Sequence, residues 1–270
     1  MEPTAEKPSN RPTLHPPTRH ACIPYSYLCL MQAQRQLPQR VAYEIARMAN
    51  PSYARFLHKV LPGQEDLKIH GVKIPQLRAL ARRLAQAQQR QCFLDALPHP
   101  SLEENLLHGL LINGLPDGQA TLTEIQRFLP HVSNWMVCDT TSPQAFRQHP
   151  EILQGILPHW LAPSAQPYTQ RFACLCLMRY FLGPLFQTEH LQWVTALPTS
   201  HRYVRTGAAW YLAEALIAQP RHAWPCLLSP ATPTPLRLTA LQKAVESNRS
   251  SADDKSCFRK LIKEIRHGNS

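Results

Sequence analysis

Glycine is scarce in this chain: nine in 270 residues, at 63, 71, 109, 114, 118, 155, 183, 207 and 268. No two stand close enough to form the G-x-G turn of a dinucleotide fold or a glycine-rich phosphate loop, which disfavours Rossmann and Walker-type enzymes. Valine and isoleucine are also few, 8 and 11 against 37 leucines, so helix is expected over sheet. The eight cysteines (22, 29, 92, 138, 174, 176, 226, 257) include no C-x-x-C pair. Cys174 and Cys176, two apart on a helix, point to different faces, and the set reads as reduced structural thiols of a cytosolic protein, with no metal site. No apolar run approaches the ~20 residues of a membrane span, and the N-terminus lacks the apolar centre of a secretory signal. A soluble intracellular protein is expected.

Acidic residues are the scarcer charge, 18 against 29 Lys and Arg, giving a formal net charge of +11 and a pI near 9.5. The excess is uneven. Residues 31–130 carry +4 and 201–270 carry +6, while 131–200 are neutral. A polyanion wrapped on the concave side of a curved helical body asks for such a pattern, because its phosphates need cations on either side of whatever is read or cut. A merely solvated basic surface is the alternative on charge alone.

Residues 1–24 hold six prolines among Thr, Ser, Arg and His. That mixture buries too little surface to fold, so residues 1–30 are expected to be a disordered Pro-rich extension, with Met31 a candidate start of translation. From 31 to 270 a single domain is expected, its helical segments alternating with Pro-marked breaks. In 75–88, Leu77, Leu80, Ala81 and Leu84 follow the helical stripe, and Arg78, Arg82 and Arg83 lie off it. Ser101 and Glu104 form an S-x-x-E capping box ahead of a Leu-rich helix that Asn113-Gly114 ends. Further helices are expected at 34–48, 52–60, 119–129, 134–141, 143–157, 168–182, 187–196, 201–218, 234–247 and 252–266. The sum is an all-α chain of stacked helical pairs, an α-solenoid.

Three polar or aromatic features do not follow from local stability. Asp139 falls in the last turn of a short helix that Ser133 is placed to cap and Ser142-Pro143 must end, so its charge opposes the helix dipole. Arg171 has the opposite fault: it stands in the first turn of 168–182, where Phe172 through Met178 are apolar on every side, and it must find an anion. Asp139 and Arg171 either pair with each other inside the fold or serve a ligand. Trp135 stands four residues before Asp139 on the same helical face, and Trp210 sits among Gly207, Ala208 and Ala209, where small residues leave room beside a flat ring. Each tryptophan is a core residue or part of an aromatic cage with the carboxylate and guanidinium.

These residues fall in segments that together resemble the AlkD-like DNA alkylation repair proteins with HEAT-like helical repeats. The segments are Gly71-Val72-Lys73-Ile74-Pro75-Gln76-Leu77-Arg78, Glu103-Glu104 through Ile112, Asn134-Trp135 through Asp139, Arg171 in its apolar helix, Tyr203-Val204-Arg205 through Trp210, and Leu241-Gln242-Lys243-Ala244 to Ser247. Order and spacing agree from about residue 31 to 265. The resemblance implies a curved HEAT-like solenoid with a concave basic DNA-binding face. It also implies a monofunctional glycosylase acting, as a cofactor-free monomer of the cytoplasm and nucleoid, on alkylated purines in duplex DNA. In such proteins an aspartate and two tryptophans meet the lesion's deoxyribose and an arginine helps hold the backbone. The matching residues here are Asp139, Trp135, Trp210 and Arg171, with Arg205 and Lys243 as further DNA-binding positions. Asn134 departs from the pattern, standing where some members carry another aromatic.

A fixed carboxylate would stabilise the positive charge that grows on the sugar as an N-glycosidic bond breaks, and would orient the attacking water. The indole faces would add ~0.5–2 kcal/mol each as cation–π partners, and Arg171 would clamp a phosphate. No lysine occupies a motif position to form a Schiff base, so strand cleavage is not expected. No general acid is evident either, which restricts the leaving group to purines already cationic through alkylation at N3 or N7. The rivals are a non-catalytic protein that binds damaged or branched DNA, and a HEAT-like scaffold for other proteins.

Overall fold

A computed structural model describes residues 25–268, and among them it contains sixteen α-helices, one 3-10 turn and an isolated bridge between Lys68 and Ser101, with no strand. The helices are α1 (Tyr25–Arg47), α2 (Pro51–Val60), α3 (Ile74–Arg83), α4 (Ala87–Leu94), α5 (Leu102–Asn113), α6 (Gly118–Phe128), α7 (Trp135–Thr140), α8 (Gln144–Gln148), α9 (Glu151–Gln154), α10 (Leu157–Trp160), α11 (Pro167–Tyr180), α12 (Thr188–Thr195), α13 (Arg202–Ala218), α14 (Pro220–Leu228), α15 (Thr234–Glu246) and α16 (Ala252–Arg266). The expected Pro-rich tail, residues 1–24, lies outside the described residues. No helix among the described residues is long and apolar enough to cross a membrane.

The all-α solenoid is the architecture observed. One row of helices runs through the molecule: α3 packs on α5, α5 on α7, α7 on α11, α11 on α13 and α13 on α15. A second row lies against it, with α4 against α1 and α5, α6 against α8 and α9, α14 against α12 and α13, and α16 against α15. Each helix thus buries its leucines against its neighbours, and the buried residues join into one continuous cluster from Leu37 to Ile265. In α11 the whole run Phe172–Leu177 is fully buried, as its unbroken apolar sequence requires.

Several expected helices are divided differently. The first extends back from 34 to Tyr25, across the expected 30/31 boundary, since no proline falls between Tyr25 and Leu37 to interrupt it. The 75–88 helix stops at Arg83, and α4 follows, a segment too polar and too weakly periodic to read from sequence. The expected helix over 143–157 is three short pieces, α8, α9 and α10, because Pro150 and Gly155 interrupt the ladder. Helix α14 was not expected, as Pro220 and Pro225 both fall within it.

Two of the recurring motifs are structural devices. The carboxylate of fully buried Glu103, in the first turn of α5, accepts the backbone N–H groups of His70, Gly71 and Val72 at 3.0, 2.7 and 3.2 Å. Gly71 has φ +80°, and a Cβ there would meet the Asn50 carbonyl at 2.2 Å, so the loop takes no other residue without strain. The Ser101 hydroxyl accepts from Glu104 N, the N-cap half of the expected box, while the Glu104 carboxylate accepts from that hydroxyl rather than from the Ser101 backbone N–H, and Gly114 caps the far end.

Beside this loop His99 and His108 face each other, Nε2 to Nδ1 at 2.9 Å, with Phe93 stacked on the first ring and Phe128 on the second. Burial, and then the proximity of His131, lowers the pKa of His99 to about 4. Burial, reinforced by His99, Arg127 and His131, lowers that of His108 to about 2. Both rings are therefore neutral when folded, while the unfolded chain takes up protons below the ordinary histidine value. Stability supplied by the pair is complete above about pH 6.5 and declines as pH falls towards the folded values. Between pH 7 and 5 the loss is expected to be about 3–4 kcal/mol for the two rings together, measured by urea unfolding at each pH. The double variant His99→Leu/His108→Leu should show a visibly flatter dependence, and equal slopes would remove the assignment.

Candidate functional site

Helix α7 has only six residues, and its ends are held from outside. Asn134, not Ser133 as expected, caps the N-terminus: its Oδ1 accepts from Val137 N at 3.0 Å. The Ser133 hydroxyl instead donates to Gln64 Oε1. Trp135 Nε1 donates to the Val60 carbonyl at 3.2 Å, tying the helix to the end of α2. At the C-terminus Arg179 donates to the carbonyls of Asp139 and Thr141 at 2.7 and 3.0 Å, and Asn113 donates to that of Thr140 while accepting from Ser142 N. Guanidinium and amide donors thus satisfy the orphan carbonyls, and cations sit where the helix dipole favours them.

Asp139 stands in that neighbourhood with its side chain 20 % exposed, and Arg171, 7 % exposed, reaches it from α11. The pair is bidentate: Nε donates to Oδ1 at 2.8 Å and Nη2 to Oδ2 at 2.7 Å. Arg171 Nη1 is also occupied, donating to the Tyr203 carbonyl and to Thr206 Oγ1, both at 3.0 Å. Gly207 makes room for it, since a Cβ there would lie 3.1 Å from Arg171 Cγ. The space expected beside Trp210 is in this part filled by the arginine's stem. Burial pulls the Arg171 pKa down, but the hydrogen bonds and charge of Asp139 outweigh it and leave the group above its ordinary value. Of the two readings left open for these residues, internal pairing is the one seen. Its guanidinium is committed to α7 and α13, which makes Arg171 the holder of Asp139 rather than a free clamp.

Asp139 and Trp135 open on one cleft of about 730 Å³, whose other lining includes Arg78, Arg82 and Arg90, the apolar Ala81, Leu110 and Met136, and the polar Ser142 and Gln144. A carboxylate accepts along four lone-pair directions, and the Arg171 fork takes one on each oxygen. The remainder stay available to a substrate or water in the cleft. Trp210, Arg205 and Lys243 do not line it. Trp210 is half-buried on α13 with the Lys243 ammonium 5.7 Å from its ring centroid, and Arg205 donates to the Thr199 carbonyl at 2.7 Å. They nonetheless occupy the same helical row, on α13 and α15, two and three helices along from Asp139. Among the described residues no group of three or more His, Cys, Asp or Glu is arranged to hold a metal ion.

Sequence reasoning missed Arg179 and Arg90, and it read Arg78 and Arg82 only as the basic face of a helix. Arg179 lies eight residues after Arg171, about two helical turns below it on α11, a spacing that could have marked both as facing one partner.

Residues 41–225 match the family model described as DNA alkylation repair enzyme, and the chain belongs to that family. The match takes in Arg78, Trp135, Asp139, Arg171 and Trp210, with Lys243 beyond it. No curated protein matches the chain.

The pair makes a sharp energetic prediction. Asp139→Asn leaves the buried Arg171 without its counter-charge and should cost about 3 kcal/mol in denaturant unfolding. Replacing both, Asp139→Asn/Arg171→Met, removes the orphaned charge and should recover at least half of that loss, the non-additivity being read from the double-mutant cycle. Additive losses would mean that the two side chains do not act as a pair.

Proposed function

We propose that this DNA repair protein is a monofunctional glycosylase that hydrolyses the N-glycosidic bond of cationic N3- and N7-alkylated purines in duplex DNA. On this reading it works as a monomer, in the cytoplasm and on the nucleoid, without metal or cofactor. The observation that carries the proposal is a carboxylate, fixed in direction by a buried guanidinium fork, opening beside an indole on a basic cleft.

Bond breaking moves positive charge onto C1′ and O4′ of the sugar while the base leaves with the bonding pair. Asp139, held before the reaction begins, stabilises that charge more than it stabilises the neutral sugar of the ground state, which is the condition for lowering the barrier. Its free lone pairs also accept a proton from the water that attacks C1′. Trp135 offers its ring to the same cation; its N–H, bonded to Val60, keeps the ring from turning. Trp210 joins from α13 if DNA spans the row. Arg171 positions the carboxylate, and backbone contact falls to other cations, Arg205 and Lys243 among those proposed from the sequence.

The closed Asp139–Arg171 pair also favours a second reading, a non-catalytic binder of damaged DNA in which the pair is purely architectural. Single-turnover release of bases from methylated duplex separates the two. Wild type is expected to release 7-methylguanine and 3-methyladenine, and not uracil, hypoxanthine or 8-oxoguanine, whose neutral bases need an acid to leave. The re-stabilised Asp139→Asn/Arg171→Met variant should bind duplex but lose base release by at least a hundredfold, a few kcal/mol of transition-state stabilisation. Release at the wild-type rate by this folded variant, or none by wild type, would favour the architectural reading.

A further inference from the structure

Among the described residues four arginines are ion-paired with carboxylates. Arg83 pairs with Glu44, Arg127 with Asp95 and Glu124, Arg249 with Glu214, and Arg171 with Asp139. Among the described residues Arg78 and Arg82 have no partner, although Arg83, one residue on, has. They stand four apart on α3, so their side chains project one above the other into the cleft that Asp139 and Trp135 line. Arg90, at the start of the next helix, lines the same cleft. Its Nη1 reaches the Ala85 carbonyl only at 3.5 Å, and its Nε is buried with no partner at all. Ala81 and Ala85 between them leave the guanidiniums unobstructed. The only carboxylate of the lining is Asp139, and Arg171 already neutralises it.

Three uncompensated guanidiniums around one concavity are a standing electrostatic cost unless an anion occupies it. Arginine forks match phosphate oxygens in particular, and an i, i+4 pair presents two such forks at a spacing comparable with successive phosphates of one strand. We propose that Arg78 and Arg82, with Arg90 behind them, grip consecutive phosphodiesters of duplex DNA, on the strand whose sugar faces Asp139. The choice of strand rests on the glycosylase reading above; the phosphate contacts do not. This gives α3 and α4 the backbone-holding task that the sequence suggested for Arg171, whose donors are spent inside the fold.

The test is the salt dependence of binding to an undamaged duplex of about two helical turns, followed by fluorescence anisotropy, so it is blind to base release. Each phosphate contact adds about 0.9 to the slope of log K against log salt. Arg78→Ala/Arg82→Ala should therefore lower that slope by about 1.8, so that raising salt from 50 to 200 mM costs wild type about twelvefold more affinity than the variant. Both side chains are exposed and unpaired, and their removal leaves the packing intact. Arg83→Ala, which removes one such charge one residue outside the cleft, is the control and should leave the slope unchanged, where Arg82→Ala alone should lower it by about 0.9. An unaltered slope in the double variant, or a fall of about 0.9 in Arg83→Ala as in Arg82→Ala, overturns the proposal. Either result is independent of whether Asp139 supports base release.

Discussion

The Asp139–Arg171 ion pair is the contact on which the middle of this molecule depends. A six-residue helix has no stability of its own, because nucleation is never repaid over so few turns. Helix α7 persists because α11 lends it Arg171 and Arg179, α5 lends it Asn113, and α2 takes the Trp135 N–H. A buried pair of this kind stabilises little relative to well-packed apolar residues of the same volume, since two charges must first be taken from water. Its value lies in position. Through Nη1 the same guanidinium reaches the first turn of α13, so one side chain sets the register of three successive helices of the row.

That placement ties architecture to chemistry. Had Asp139 been exposed and mobile, its field would be screened and its direction lost; here it lies at the seam, one side against Arg171 and the other towards the cleft. The group that fixes it also dilutes its charge, so on the glycosylase reading proposed above its effect on a developing cation would come from fixed geometry at short range rather than from raw potential. A solenoid suits this compromise. Its consecutive helices present side chains along one continuous surface, and polar groups can be buried at the seams between repeats.

How much of this is legible in the sequence depends on whether a residue contradicts its surroundings. Arg171 is legible because a guanidinium in an unbroken apolar helix has to be neutralised, and Asp139 because a carboxylate opposes a helix C-terminus. Arg179 is not, because an arginine in the last turn of a helix already looks satisfied by its own dipole. Asn134 and Ser133 are adjacent and equally able to cap, and only the tertiary contact of Ser133 with Gln64 decides between them. The breaks inside 143–157 and the unexpected α14 share one cause. Proline favours a first helical turn, where Pro220 stands, yet Pro225 is carried inside α14 and Pro38 inside α1, so whether a proline ends a helix is decided by the packing of its neighbours. Lys243 on Trp210 is a meeting of two helices 33 residues apart in sequence, which no local pattern encodes. The cleft arginines Arg78 and Arg82 were visible as the basic face of an amphipathic helix; that they face a cavity, while Arg83 faces Glu44, is a property of the stack.

The cleft also limits what chemistry it could support. The titratable side chains that line it are three arginines and one aspartate. Guanidinium does not give up its proton at any physiological pH. Asp139 accepts from Arg171 on both oxygens and so is disposed to act as an acceptor rather than a donor. Histidine, the usual proton donor near neutrality, is absent from the described residues of the cleft wall, and the His99–His108 pair is buried and low in pKa. On the reading proposed above, a reaction run here begins from a leaving group that departs without being protonated, and uses an anion to meet a cation. Scission of a bond to an already cationic base satisfies both conditions, whereas the release of a neutral base satisfies only the second.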